Sequence, residues 1–166
     1  MTLQRSNAMT DHPFRTAWRT RNLDEWMQAL SPEIVLHSPV VRKPFRGRAA
    51  ARELYGVLFE TLGEVEITSE LTSTDNTHAF FWQADVGGRR IEGTDLLRYD
   101  EHGKVAEITV MIRPLVSIAI FASAIGSPLA AKQSATRSAL GRLLTLPLKG
   151  IFTLIDITAS HLLGLR

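Results

Sequence analysis

Residues 91–115, IEGTDLLRYDEHGKVAEITVMIRPL, decide how this chain is read. The stretch predicts two strands joined by a tight turn at Asp100-Glu101-His102-Gly103, where Gly103 supplies the positive φ that a hairpin turn needs. Ahead of the turn, Ile91, Gly93, Asp95, Leu97 and Tyr99 share one face at period two. Beyond it, Ala106, Ile108, Val110 and Ile112 form an apolar face, and Glu107, Thr109, Met111 and Arg113 take the other. Asp95 therefore stands among apolar neighbours. A carboxylate there is costly to bury unless it is paired or protonated, which makes Asp95 the most informative residue of the chain.

Four strands follow one another: Glu64–Thr74, Thr77–Val86, Arg89–Tyr99 and the strand after Gly103. Gly87-Gly88 turns the second of these back into the third. Phe80, Trp82, Ala84 and Val86 share one face of the second. Ahead of these strands, His12–Leu30 predicts a helix in two pieces, with Phe14, Ala17, Trp18, Leu23, Trp26, Met27 and Leu30 at helical spacing. Asn22 caps the second piece, with Glu25 three residues on, and Ser31-Pro32 stops it. Ile34–Val40 is a short strand that Pro39 ends. A basic loop follows, and then a helix over roughly 48–62 buries Leu54, Tyr55, Leu58, Phe59 and Leu62 and ends at Gly63. This order of elements predicts an α+β fold: a curved antiparallel sheet wrapped around N-terminal helices, forming a cone with an apolar interior and an open mouth.

The chain divides at residue 116. Residues 1–116 hold 14 Lys/Arg against 16 Asp/Glu, whereas residues 117–166 hold five against one. We therefore expect a cone over residues 10–115 and a basic, apolar helical extension over 116–166. Residues 114–131 carry no charge, but Pro114, Gly126, Pro128 and three serines make them a poor membrane span. The extension is expected as a helix to about Ala124, a break at Gly126-Ser127-Pro128, a second helix over about 129–144 and a third from Pro147. Lys132, Arg137, Arg142 and Lys149 decorate it. Such an extension can cap the cone, bury against a second subunit, or rest on an acidic membrane surface.

The chain has no cysteine, which excludes disulfides and thiolate chemistry and fits a reducing, cytoplasmic location, peripheral to a membrane if the extension touches one. No secretory leader is visible, and Ser6-Asn7-Ala8 ahead of Met9 resembles a cloning remnant, so residues 1–9 stand outside the fold reading. The histidines are scattered without metal-binding spacing, and no nucleotide-binding glycine motif occurs, so neither a metal nor a cofactor is expected. The basic residues of 42–52 lack the aromatic interleaving of a nucleic-acid binder and are expected to form a solvated face. His37 and Ser38 are adjacent on a strand and face opposite sides, which breaks any Ser-His-Asp relay through Ser38, His37 and Asp95.

Three segments, NLDEWMQALSPEIVLHSPV (22–40), FRGRAAARELY (45–55) and GTDLLRYDEHGKVAEITVMIRPL (93–115), resemble the NTF2-like superfamily, in its SnoaL-like and ketosteroid-isomerase-like branch. The resemblance covers about residues 12–115. It implies a cystatin-like cone with an apolar pocket, commonly dimeric through the outer face of the sheet. It places the protonated Asp of the isomerase oxyanion hole on Asp95 and a supporting Tyr on Tyr55. The catalytic base falls on Ser38 and the oxyanion-hole Tyr on Phe14, neither of which can do that work. The Asp-Arg-Asp trio of the limonene-epoxide-hydrolase relatives is not matched either, since its second Asp would fall near Val110.

The expected ligand is a small apolar molecule, with Asp95 and Tyr55 as polar anchors. Phe14, Trp18 and Ser38 from the first half of the chain, and Phe80, Trp82, Val110 and Ile112 from the sheet, would complete the lining. Two alternatives stand beside binding. One is an isomerase, cyclase or hydratase with Asp95 as acid/base and His37 or Arg113 as its partner. The other is a dimeric scaffolding or membrane-surface protein working through its extension.

Overall fold

A computed structural model describes residues 12–131. Helices α1 (Pro13–Thr20) and α2 (Leu23–Ala29) lead into strand β1 (Leu30–His37), a two-residue strand β2 (Phe45–Arg46) and helix α3 (Gly47–Thr61). Strands β3 (Val65–Thr72), β4 (Thr77–Val86), β5 (Arg89–Tyr99) and β6 (Val105–Arg113) follow, and helix α4 (Leu115–Ala131) comes last.

Local chemistry sets most of these boundaries. His12 caps α1, its Nδ1 accepting from Phe14 N–H at 3.1 Å, and Pro13 sits in the first turn, where a missing N–H costs nothing. Arg21 closes α1 in the left-handed conformation (φ 53°) and separates the two helical pieces. Its guanidinium then donates to the carbonyls of Phe59, Leu62 and Gly63, satisfying the C-terminal end of α3. Asn22 Oδ1 accepts from Glu25 N–H at 3.1 Å and starts α2. The β5–β6 turn is held by Asp100, whose Oδ1 accepts from His102 N–H and Lys104 N–H, while Gly103 takes φ 69°.

Among the described residues the strands form one sheet in the order β2-β1-β6-β5-β4-β3. β3 to β6 are successive antiparallel neighbours, as their spacing predicts. β1 lies parallel to β6, with Leu36 opposite Ile108, and β2 pairs antiparallel with β1. Three details differ from the sequence reading. β1 spans Leu30–His37 instead of Ile34–Val40: it begins directly after α2, has a register break between Leu30 and Val35 at Pro32, and ends before Ser38-Pro39. A register shift between Arg98 and Tyr99 puts Tyr99 opposite Val105, so Val105 is buried at that end of β6 and Ala106 is half-buried. Residues 45–46, expected in a loop, are strand β2.

The core lies between the concave face of the sheet and α1–α3. Its centre is aromatic: Phe14 meets Phe80 at 4.7 Å between ring centroids, Trp26 meets Tyr55 at 5.5 Å, and Trp18 meets Phe59 at 5.1 Å. α4 belongs to the same core. The helix is apolar around most of its circumference, and Val116, Ile120, Phe121 and Ile125 are buried with the residues of α3 and the sheet. The break expected at Gly126-Ser127-Pro128 is not there: α4 runs through Pro128 to Ala131. No helix among the described residues is long and apolar enough to cross a membrane. The later helices expected in the extension, and its basic residues from Lys132 on, lie outside the described residues.

Candidate functional site

Asp95 stands at the middle of β5, opposite Phe80 of β4 and Val110 of β6. Alternation points it inward, and it is 4% exposed. Gly93, two residues earlier on the same face, makes its environment. The indole of Trp82, opposite Gly93 on β4, lies where a side chain at that position would be: a Cβ there would come within 2.2 Å of Trp82 Cζ2. Laid over Gly93 in this way, Trp82 donates its Nε1–H to Asp95 Oδ1 at 2.8 Å.

Burial pushes the Asp95 carboxyl up to about 7, and the Trp82 hydrogen bond offsets only part of that rise. Tyr55, fully buried on α3, has its phenol pushed well above the ordinary value, first by burial and then by the nearby Asp95. Tyr55 thus keeps its proton at neutral pH, while Asp95 exchanges its own near pH 7. Among the described residues Asp95 has no ion-pair partner. Trp26 packs its indole against the Tyr55 ring, and its interaction with the phenol offsets a small part of the rise at Tyr55.

Asp95 opens on a cavity of about 30 Å3, room for about one water molecule. Of the nine residues expected to line a pocket, Trp18, Ser38, Tyr55, Trp82, Asp95 and Val110 line this one. Phe14 and Phe80 do not. They stack on one another and on the neighbouring rings, fully buried in the core. Ile112 lies too far along β6, opposite Gly93, and borders a hollow elsewhere on the sheet. Apolar side chains of α3 and Leu36 complete the wall. Phe121 of α4 lines it as well.

The partners considered for Asp95 point elsewhere. His37 Nε2 meets Glu107 Oε1 at 3.2 Å, and Arg113 meets Glu92 Oε2 at 2.5 Å; neither side chain lines the Asp95 cavity. Ser38 lines it, but its Oγ accepts from Val40 N–H at 3.1 Å. The basic stretch after β1 is partly structural: Arg48 binds the Leu30 carbonyl and Arg52 pairs with Asp24 at 2.7 Å.

The sequence reading missed a second polar group, at the other end of β5. His12 Nε2 lies 2.5 Å from Tyr99 Oη, and the His78 ring packs against both. Because His12 Nδ1 accepts from Phe14 N–H, the neutral ring carries its proton on Nε2 and donates it to Tyr99. Burial, with His78 adding to it, pushes His12 down to about 4. The one signal available beforehand was the pairing of a helix-capping position with Pro13.

Comparison with solved structures returns the same fold. The chain is similar to a steroid delta-isomerase from Pseudomonas aeruginosa, with 24% identity, a TM-score of 0.68, and coverage of 74% of this chain and 90% of that one. It is similar to a bacterial protein with a cystatin-like fold from Silicibacter pomeroyi, with 16% identity, a TM-score of 0.67, and coverage of 83% and 95%. An epoxide hydrolase/cyclase-like enzyme of pyran ring formation in the polyether salinomycin shares 18% identity at a TM-score of 0.53, over 62% of this chain and 86% of that one. At these identities the likeness is one of fold. No curated protein matches the chain. The family model of the SnoaL-like domain matches residues 12–108, and with the cone, its order of strands and the inward Asp95 in place, the chain belongs to the SnoaL-like domain family.

Proposed function

We propose that the cone binds a small, uncharged, largely apolar molecule that offers one hydrogen-bond acceptor, a ketone or aldehyde oxygen, to Asp95. The observation that carries this is the state of Asp95. One carboxyl oxygen is taken by Trp82 N–H and, among the described residues, no cation neutralises the group, so burial keeps it protonated up to about pH 7. A buried carboxylic acid of this kind donates a hydrogen bond to an acceptor oxygen in an apolar wall.

The test is a thermal-shift screen of the full chain with steroid, terpenoid and polyketide ketones, repeated from pH 5 to pH 9. Stabilisation follows RT ln(1 + [L]/Kd), about 2.7 kcal/mol at 100 times Kd. Affinity for a ketone should fall as the pH rises through 7, since the ionised carboxylate cannot donate. Asp95→Asn keeps an N–H donor, so its affinity should be flat with pH; Asp95→Leu should abolish binding. A ketone bound with the same affinity by Asp95→Leu would overturn the proposal.

A second reading is acid–base catalysis of the isomerase, cyclase or hydratase kind. A group that exchanges its proton near neutrality favours it, and the steroid delta-isomerase and the cyclase-like enzyme share the fold. The position expected for a base is held by Ser38, whose hydroxyl is engaged with the backbone. Binding is therefore the primary reading, and recovering a bound ketone chemically changed would promote the second.

We also propose that two copies associate through the outer face of the sheet. Leu71, Phe81 and Met111 are exposed there. Phe81 and Met111 flank Thr94 across three adjacent strands, beside an open hollow of about 690 Å3. Exposed apolar groups clustered on one face of a sheet favour association.

A further inference from the structure

The Asp95 cavity is lined from every side of the cone and from one residue outside it. α1 contributes Trp18, β4 Trp82, β5 Asp95, β6 Val110 and α3 Tyr55 with its neighbours, and then Phe121 reaches in from α4. The space that remains is about 30 Å3. Pockets that take a drug-sized ligand are at least roughly tenfold larger. The contrast has a visible source. α4 lays Val116, Ile120, Phe121 and Ile125 across α3 and the sheet, and of these four Phe121 is the one that borders the cavity.

Resting on the binding role proposed above, we propose that Phe121 is a built-in occupant of the ligand seat. Its phenyl ring fills the place beside Asp95 that an apolar ligand would take, so α4 keeps the free protein closed and a ligand enters by displacing that ring. Several features fit such an occupant. The seat is apolar apart from Asp95, Tyr55, Ser38 and the Trp82 N–H, so a phenyl group satisfies its walls while leaving the acid's second oxygen without a ligand. α4 carries no charged residue, and no salt bridge ties it to the cone among the described residues. It is held by apolar packing, which is non-directional and tolerates a shift of one side chain better than a hydrogen-bonded joint does.

The test is chemical rescue. Phe121→Ala removes the phenyl group, and a void lined by apolar side chains takes up small arenes. The full chain, wild type and Phe121→Ala, is titrated with acetophenone, which carries a phenyl ring and a ketone oxygen, and with ethylbenzene, which lacks the oxygen. Binding is read by thermal shift and by quenching of tryptophan fluorescence. Phe121→Ala is expected to melt lower than wild type, to bind acetophenone at least tenfold more tightly than wild type does, and to prefer acetophenone to ethylbenzene.

Equal binding of acetophenone by wild type and Phe121→Ala would overturn the proposal while leaving the pocket reading intact. A variant that melts like wild type, or one that binds neither arene, would overturn it too, since no seat would have been vacated. Equal affinity of Phe121→Ala for the two arenes would keep Phe121 as the occupant and count against Asp95 as the anchor. If Phe121→Ala does not fold, Phe121→Val replaces it under the same criteria.

Discussion

Asp95 costs the fold stability at high pH. Its folded value of about 7 lies above the unfolded 3.8. Between those values the native state holds a proton that the unfolded chain has lost. The Asp95 contribution to stability is then greatest below about pH 4 and declines as the pH rises through 7, by about 4 kcal/mol for a shift of this size. Asp95→Asn removes the titration, so its melting temperature should gain on wild type between pH 5 and pH 8, by roughly 10 °C. Paired thermal melts check this, and parallel curves would refute it. His12 acts in the opposite direction. Its folded value of about 4 lies below the unfolded 6.5. Its contribution is therefore intact above pH 6.5 and is lost as the pH falls toward 4, on the order of 1 kcal/mol once its partial exposure is allowed for. His12→Asn keeps a capping side chain without the titration. Urea unfolding at pH 7 and pH 4.5 should show the wild type losing more stability than His12→Asn across that interval.

At the scale of elements, the β4–β5 pair builds the site. Gly93 and Trp82 face one another across it, and the missing side chain of the first lets the indole of the second reach Asp95. Gly93→Ala should therefore do more than crowd the strand. It should push the indole out of place, break the bond to Asp95 and destabilise the protein by about 1–3 kcal/mol. Denaturant unfolding together with a shift in tryptophan emission would register both effects; a stable variant with unchanged emission would contradict the account. The hairpins themselves were legible in the sequence. Gly87-Gly88 and Gly103 stand where positive φ is required, and the alternation of β4 and β5 is a local property of the backbone. The role of Gly93 was not legible, because it depends on which residue of β4 lies opposite, and register becomes visible only once two strands are paired.

The whole molecule presents two apolar surfaces with different fates. The concave one is filled by α1–α3 and closed by α4, while the convex one leaves Leu71, Phe81 and Met111 in solvent. If the convex face joins two copies, Phe81→Glu with Met111→Glu should yield a monomer by light scattering at concentrations where wild type is a dimer. Charges on that face would oppose each other across the interface. A wild type that is monomeric at every concentration would end the idea.

By itself the sequence determined the α+β class, the positions of β4, β5 and β6, the two-piece N-terminal helix and the inward direction of Asp95. These follow from period-two and helical spacing, capping residues and turn glycines, all of which act over a few neighbouring residues. Only the tertiary structure decided the parallel seam between β1 and β6, the burial of Phe14 and Phe80 in the core rather than at the cavity, and the continuation of α4 through Pro128. It also decided that Phe121, 26 positions beyond Asp95 in the chain, lines the cavity. Such contacts join segments far apart in sequence, and they are selected by how side-chain volumes fill one shared core, which no local pattern encodes.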